Sequence, residues 1–95
     1  MLTMIVYYHC KSGMRNQFVN ELAAKNIAAL CQAEPGNVQY DYFLSQKDAD
    51  TVLLLEKWES EEAQKVHLST RNFEVLGTIK AQFVESVDIE RFVTQ

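Results

Sequence analysis

Residues 51–58, with the sequence TVLLLEKW, restrict the fold more than any other segment. The segment is rich in β-formers and has the length of one strand, so alternate side chains point to opposite faces of a sheet. Val52, Leu54 and Trp58 lie on one face, and Leu53 and Leu55 lie on the other. A strand that is apolar on both faces needs cover on both. The segment is therefore predicted to be a central strand of a layered fold.

The remaining segments predict three more strands and two helical regions. The first strand segment is a run of β-branched and aromatic residues, the second and last strand segments alternate with a period of two, and helical segments repeat apolar residues every three to five positions. Pro35-Gly36 ends the first helix, and Ser60 is placed to cap the second helical region. Strands are predicted over Met1–Cys10, Val38–Leu44 and Val84–Val93, and helices over Gly13–Ala33, Ser60–Ser69 and Arg71–Phe83. The order β-α-β-β-α-β predicts one α+β domain over residues 1–95, ferredoxin-like, with a four-stranded antiparallel sheet.

A homodimer follows from this arrangement, because both helical regions of the fold cover the same face of the sheet. The other face would expose a large apolar patch unless a second copy buried it. Glu56 shares a face with Trp58, and we expect that face to line a cavity between the two copies.

Composition and charge exclude several classes of partner. The formal charge is -4 and the nine Lys and Arg residues are scattered, so no basic stripe is available for nucleic acid. The apolar start has neither the cationic region of a signal peptide nor the length of a membrane span, and we expect a cytoplasmic protein without a membrane partner. Cys10 and Cys31 are expected to be reduced thiols, and no metal-ligand spacing accompanies them.

A set of short motifs resembles the antibiotic biosynthesis monooxygenase domain, a dimeric α/β-barrel family within the ferredoxin-like folds. The motifs are Gly13, then Glu34-Pro35-Gly36 with Tyr40 four residues after that glycine, then Glu56-Lys57-Trp58-Glu59-Ser60, His67-Leu68 and Phe73. The resemblance covers nearly the whole chain. The chain departs from the pattern at Asn72, where most members carry histidine.

The resemblance implies a cofactor-independent oxygenase that acts on a small aromatic, quinol-like substrate with dioxygen. In the haem-degrading branch of the family, the pocket looks different, because it has an asparagine on the first strand and a histidine that binds the haem iron. Val6 and Gly77 stand at those two positions, which argues against haem as a cofactor.

The same resemblance, together with the residue types, indicates the residues of the site. His67 is the candidate base because its reference pKa of about 6.5 lies near working pH, and its alternative role is to pack at a helix end. Glu56 would support His67, or instead pair with Arg91 or Lys80 at the cavity rim. The candidates for substrate binding are Trp58, Asn72, Phe73, Tyr8 and Tyr40, and the alternative role of the tryptophan and the tyrosines is core packing.

Two other functions fit the same residues. One is an isomerase-like, acid-base activity on a small carbonyl compound that needs no dioxygen. The other is a non-enzymatic dimer that binds a small ligand, and Asn72 favours it because an amide cannot accept a proton as histidine does.

Overall fold

The computed structural model describes residues 1–94, which form four strands and four helices. In chain order the elements are β1 (Leu2–Cys10), α1 (Arg15–Ala24), α2 (Ile27–Gln32), β2 (Asn37–Leu44), β3 (Thr51–Trp58), α3 (Glu61–His67), α4 (Arg71–Phe83) and β4 (Val84–Val93). None of the helices in this part of the chain is both long and apolar enough to cross a lipid bilayer.

The four strands form one antiparallel sheet in the order β2-β3-β1-β4. The two central strands, β1 and β3, pair Met4 opposite Glu56 and Val6 opposite Leu54. This topology confirms the ferredoxin-like α+β fold, and all four strands lie within one residue of their predicted bounds. Ser60 also caps α3 as predicted, because its hydroxyl accepts a hydrogen bond from the Ala63 amide at 3.1 Å.

The prediction of one continuous helix over Gly13–Ala33 was wrong, because the chain breaks between α1 and α2. Asn26 lies in the left-handed region with φ of 55°, a conformation that asparagine tolerates better than most residues. The Lys25 and Asn26 amides donate to Glu21 and Ala23, so the break keeps its backbone hydrogen bonds. The break allows α2 to run in its own direction, with Ile27 and Cys31 buried.

The helices cover the sheet face that carries the even-numbered residues of β1 and β3. Val52, Leu54, Glu56 and Trp58 are all 5% exposed or less. The face of Glu56 and Trp58 is therefore covered by helices of the same chain, and the prediction that it meets a second copy was wrong. Alternation alone did not identify the inner face, because β3 is apolar on both sides.

The opposite face, called the open face below, carries the odd-numbered residues. Its apolar centre consists of Ile5, Tyr7, Leu53, Leu55 and Phe43. The first four of these are half-buried by their neighbours, and Phe43 is 48% exposed. Within residues 1–94 no helix provides the layer that would bury this face as the even-numbered face is buried.

Candidate functional site

A cavity of about 270 Å³ lies between the helix-covered face of the sheet and the helices α3 and α4. Its lining is mostly apolar, but it includes a histidine, a glutamate, a lysine, a glutamine and two tyrosines. The lining residues are Met4, Val6, Tyr8, Tyr40, Glu56, Gln64, His67, Leu68, Phe73, Leu76, Lys80, Val87 and Ile89. An apolar enclosure with a few converging polar groups is typical of a small-molecule site.

A second groove, of about 180 Å³, lies where α1, α2 and β2 meet. It is lined by aliphatic side chains together with Asn26 and Tyr42, and it contains no carboxylate, imidazole or ammonium group. Of these two sites, only the cavity brings carboxylate, imidazole and ammonium groups together.

His67 is the last residue of α3, and its imidazole is 2% exposed and anchored to Glu34. Its Nδ1 lies 2.8 Å from Oε1 of Glu34, whose side chain is 9% exposed. The other carboxylate oxygen of Glu34 accepts a hydrogen bond from Nδ2 of Asn72 at 2.8 Å. Glu34 therefore holds both His67 and Asn72 from the side of the α2–β2 connection.

The second ring nitrogen of His67, Nε2, forms no hydrogen bond within residues 1–94. In the same part of the chain, every fully buried side-chain nitrogen or oxygen has a partner. Nε2 must therefore contact open space, and the space that His67 lines is the cavity. Because a carboxylate only accepts hydrogen bonds, Nδ1 is the nitrogen that donates to Glu34. Nε2 is therefore the ring nitrogen that is left to accept a proton.

Aromatic rings surround the imidazole and fix its orientation. The ring centroids of Trp58, Phe73 and Tyr40 lie 4.9, 5.4 and 6.0 Å from that of His67. Packing of this kind holds the histidine in one position, as an acid-base group requires.

Glu56 lies in the cavity wall and is 5% exposed. Its Oε1 accepts a hydrogen bond of 2.8 Å from the indole Nε1 of Trp58. Burial raises the pKa of the Glu56 carboxyl, and this bond and the nearby His67 and Lys80 lower it by less. The predicted pairing with Arg91 was wrong, because Arg91 donates to Glu61 at 2.8 Å. Lys80 lines the same cavity, but no ion pair joins it to Glu56 within the described chain.

Two of the predicted substrate-binding residues do not line the cavity. Trp58 is fully buried, and its indole donates a hydrogen bond to Glu56. Asn72 is half-buried, and its side-chain amide donates to Glu34. The structure thus brings five of the seven predicted site residues to the cavity, namely His67, Glu56, Phe73, Tyr8 and Tyr40.

The cavity tyrosines are suited to donating hydrogen bonds rather than to accepting protons as phenolates. Burial raises the pKa of Tyr8 and of Tyr40 well above the usual value for tyrosine. The Tyr40 hydroxyl lies 3.2 Å from that of Tyr42, whereas the Tyr8 hydroxyl has no partner in residues 1–94.

The sequence did not identify Glu34 or Gln64 as site residues, and it indicated Lys80 only as an alternative partner of Glu56 at the cavity rim. Glu34 belongs to a motif of the family resemblance, but only Pro35-Gly36 was given a structural meaning, as the end of a helix. Gln64 precedes His67 by three positions and Lys80 follows Phe73 by seven, spacings that place each pair on one helix face. That spacing is the signal that could have found the last two.

One cluster brings together side chains of the types that bind metal ions. Ligand atoms of Cys31, Glu34 and His67 lie within 4.8 Å of one another. Burial raises the pKa of the Cys31 thiol to about 12, so the sulfur is protonated at neutral pH. Both Glu34 oxygens are engaged by His67 and Asn72, and these hydrogen bonds account for the geometry of the cluster.

Comparison with known proteins gives consistent matches. The family model described as "Antibiotic biosynthesis monooxygenase" matches residues 1–76. A Bacillus subtilis (strain 168) protein, "Putative monooxygenase YcnE", is 35% identical over 74 residues, which cover 78% of this chain and 76% of that protein.

Solved structures agree on the fold. PA3566 from Pseudomonas aeruginosa superposes with a TM-score of 0.87 at 24% identity, covering 99% of this chain and 93% of that one. Rv0793 from Mycobacterium tuberculosis gives a TM-score of 0.85 at 17% identity, covering 99% and 94%. At this level of identity the two structures show a shared fold alone.

Proposed function

The chain belongs to the antibiotic biosynthesis monooxygenase family, and we propose that it oxidises a small aromatic, quinol-like substrate with dioxygen and without a cofactor. His67 takes the substrate proton, Glu34 orients His67, and the cavity encloses the ring. The observation that carries this proposal is the unpartnered Nε2 of His67, which faces the cavity while a buried carboxylate holds Nδ1.

The energetic requirement of the reaction matches this arrangement. A phenol with a pKa of about 10 needs roughly 4 kcal/mol to ionise at pH 7, at about 1.36 kcal/mol per pKa unit. A positioned base contributes about 10²–10⁴ in rate, which is about 3–5 kcal/mol at the same conversion. A single histidine at the substrate hydroxyl can therefore lower the barrier by about as much as the ionisation of the phenol costs.

Electrons and atoms balance without a cofactor. The ionised quinol gives one electron to dioxygen, and the resulting radical and superoxide combine at a ring carbon to form a peroxide. Loss of water from the peroxide leaves a new carbonyl, so quinol plus dioxygen gives hydroxyquinone plus water. The substrate supplies all four electrons.

Other cavity residues are placed to contact the substrate or to hold His67. Phe73 packs against the imidazole and presents an apolar surface to a ring. Tyr8 has a free hydroxyl that donates to a substrate oxygen, and burial raises the pKa of the Glu56 carboxyl in the same cavity wall.

The test is oxygen consumption with a panel of benzoquinols and naphthoquinols. His67→Ala should lower kcat/KM by about 10²–10⁴, because it removes the base. His9→Ala is the matched control, since His9 is the only other histidine in the sequence and bonds Thr51 and Asp88 outside the cavity. Equal rates for the wild-type protein and His67→Ala would remove His67 from the mechanism.

Acid-base chemistry on a carbonyl compound is the second candidate function, because the Glu34–His67 pair suits any proton transfer. Turnover that persists under anaerobic conditions would favour this isomerase-like activity over the oxygenase. Ligands that raise the thermal midpoint but are never converted would favour a binding protein.

A homodimer and a cytoplasmic location complete the proposal. The open face carries Ile5, Tyr7, Leu53 and Leu55, and a second copy placed on it would bury them.

Both cysteines are free thiols, as is typical of a reducing compartment.

Sedimentation should give twice the chain mass of 10.9 kDa for the wild-type protein. Leu55→Glu on the open face should give monomers. Leu30→Glu, on the exposed side of α2, should remain a dimer. A monomeric wild-type protein would contradict the dimer.

A further inference from the structure

Lys80 is the cation of the cavity. It lies in the last turn of α4, it is half-buried, and it lines the cavity wall. Its Nζ lies 5.2 Å from the ring centroid of Phe73 and 6.0 Å from that of Tyr8. Within residues 1–94 the ammonium group forms no hydrogen bond and no ion pair of 4 Å or less. The two rings stabilise a positive charge without neutralising it.

Three other polar groups of the cavity also lack partners. The Tyr8 hydroxyl and the Gln64 amide form no hydrogen bond within the described residues, although these residues are only 3% and 9% exposed. Glu56 has one engaged oxygen, Oε1, and one free oxygen, Oε2. Every fully buried side-chain nitrogen or oxygen of the described residues has a partner, so these groups contact open space, and the space that they line is the cavity. They are available to hydrogen-bond a ligand there.

The charge balance of these groups favours an anion. Burial lowers the pKa of Lys80, and the Glu56 carboxylate opposes that shift. Burial also raises the pKa of Glu56, which favours its neutral form. The Lys80 ammonium group, the Tyr8 hydroxyl and the Gln64 amide NH₂ all offer donors to the cavity, and an ionised oxygen group accepts from donors.

The cavity volume limits the size of the ligand. A cavity of about 150 Å³ binds benzene in a well-studied case. The present cavity, at about 270 Å³, is nearly twice that size, so it has room for two fused rings or for one substituted ring.

We propose that Lys80 forms an anion subsite, and that the ligand of this cavity is a one- or two-ring aromatic acid whose ionised oxygen group binds the Lys80 ammonium. The inference rests on the proposed function only in treating this ligand as the substrate. It narrows the substrate from any quinol-like ring to one that carries a carboxylate or an equally acidic hydroxyl.

The experiment compares two ligands of nearly the same shape, 2-naphthoate and 2-naphthamide, by isothermal titration calorimetry at pH 7. Neither has an oxidisable hydroxyl, so binding is measured without turnover. The wild-type protein should bind the naphthoate at least tenfold more tightly than the naphthamide. Lys80→Met should reduce this preference to about onefold, and Lys80→Arg should retain it. Lys65→Met, an exposed lysine change on α3, is the matched control and should keep the full preference.

Four results would overturn the inference: equal affinity of the wild-type protein for the two ligands, no binding of either, a preference that survives Lys80→Met, or a preference lost in Lys65→Met. If Lys80→Met folds poorly, Lys80→Gln takes its place, because it also removes the charge but keeps a polar end, and a preference that survives Lys80→Gln would likewise overturn the inference. If quinols are not oxidised but the naphthoate preference depends on Lys80, the proposed function fails and the anion subsite stands. If quinols are oxidised and the preference is absent, the anion subsite fails alone.

Discussion

The contact between Glu34 and His67 should be one of the strongest stabilising interactions of this domain. Glu34 accepts two hydrogen bonds of 2.8 Å, from His67 and from Asn72, and its side chain is only 9% exposed. A hydrogen bond to a charged group contributes about 1.5–3 kcal/mol. Glu34→Ala removes two such bonds and should lower the free energy of unfolding by about 3–6 kcal/mol.

Glu74→Ala is the matched control, because it changes the same residue type in an exposed ion pair. Glu74 bonds Arg71 at 2.9 Å, but the two side chains are 70% and 79% exposed. Such pairs contribute about 0–1 kcal/mol. The contrast between the two glutamate variants should therefore exceed about 2 kcal/mol, from the difference between these two ranges.

A double-mutant cycle separates the contact from the loss of packing. Wild type, Glu34→Ala, His67→Ala and the double variant are unfolded in urea and followed by far-ultraviolet circular dichroism. All four are measured at one protein concentration, because the stability of the proposed dimer would depend on concentration. The coupling energy should be about 1.5–3 kcal/mol. A coupling below about 0.5 kcal/mol, or equal losses for Glu34→Ala and Glu74→Ala, would refute the reasoning, because sites that do not interact add to within that amount.

Three further predictions use the same unfolding assay. Gly36→Ala should lower the free energy of unfolding by about 1–3 kcal/mol more than Gly13→Ala does. Both glycines have positive φ, but only a Cβ at Gly36 would meet Ala63 Cβ, at 2.6 Å. Equal losses in the two variants would contradict this. Asn26→Ala should cost about 1–2 kcal/mol and Asn26→Gly nearly nothing, because φ is 55°; a neutral alanine variant would count against it. The unfolding free energy should fall as pH rises from the ordinary carboxyl value near 4.5 through the raised pKa of Glu56, because the folded state then binds more protons than the unfolded state. Glu56→Gln should lack that fall, and parallel pH profiles would exclude Glu56 as its source.

Local patterns in the sequence were sufficient to predict most of the fold. Runs of β-forming residues identified β1 and β3, and alternation identified β2 and β4. The Ser60 cap and the Pro35-Gly36 step marked helix ends correctly. The break at Asn26 was missed because alanines on both sides of it keep helix propensity high. A single left-handed residue gives little signal in a pattern of that kind.

The candidate site was only partly predictable, because its contacts join residues far apart in the chain. His67 and Glu56 were identified by residue type, but the partner of His67 is Glu34, 33 positions earlier. The inner face of β3 could not be chosen from alternation, so the face of Glu56, which does line the cavity, was expected to meet a second copy and not the helices of the same chain. Trp58 was predicted to stack on a substrate because of its large aromatic ring, but its indole N–H donates a hydrogen bond to Glu56.

The position of Trp58 has a practical consequence. It is the only tryptophan in the sequence, it is fully buried, and its ring lies 4.9 Å from that of His67. Its emission therefore comes from a single fluorophore directly behind the cavity wall. A ligand that contacts His67 or Glu56 should change the intensity of this emission, and a charged imidazole should quench it. Occupancy of the cavity can therefore be followed optically, without a label, for compounds that are never turned over.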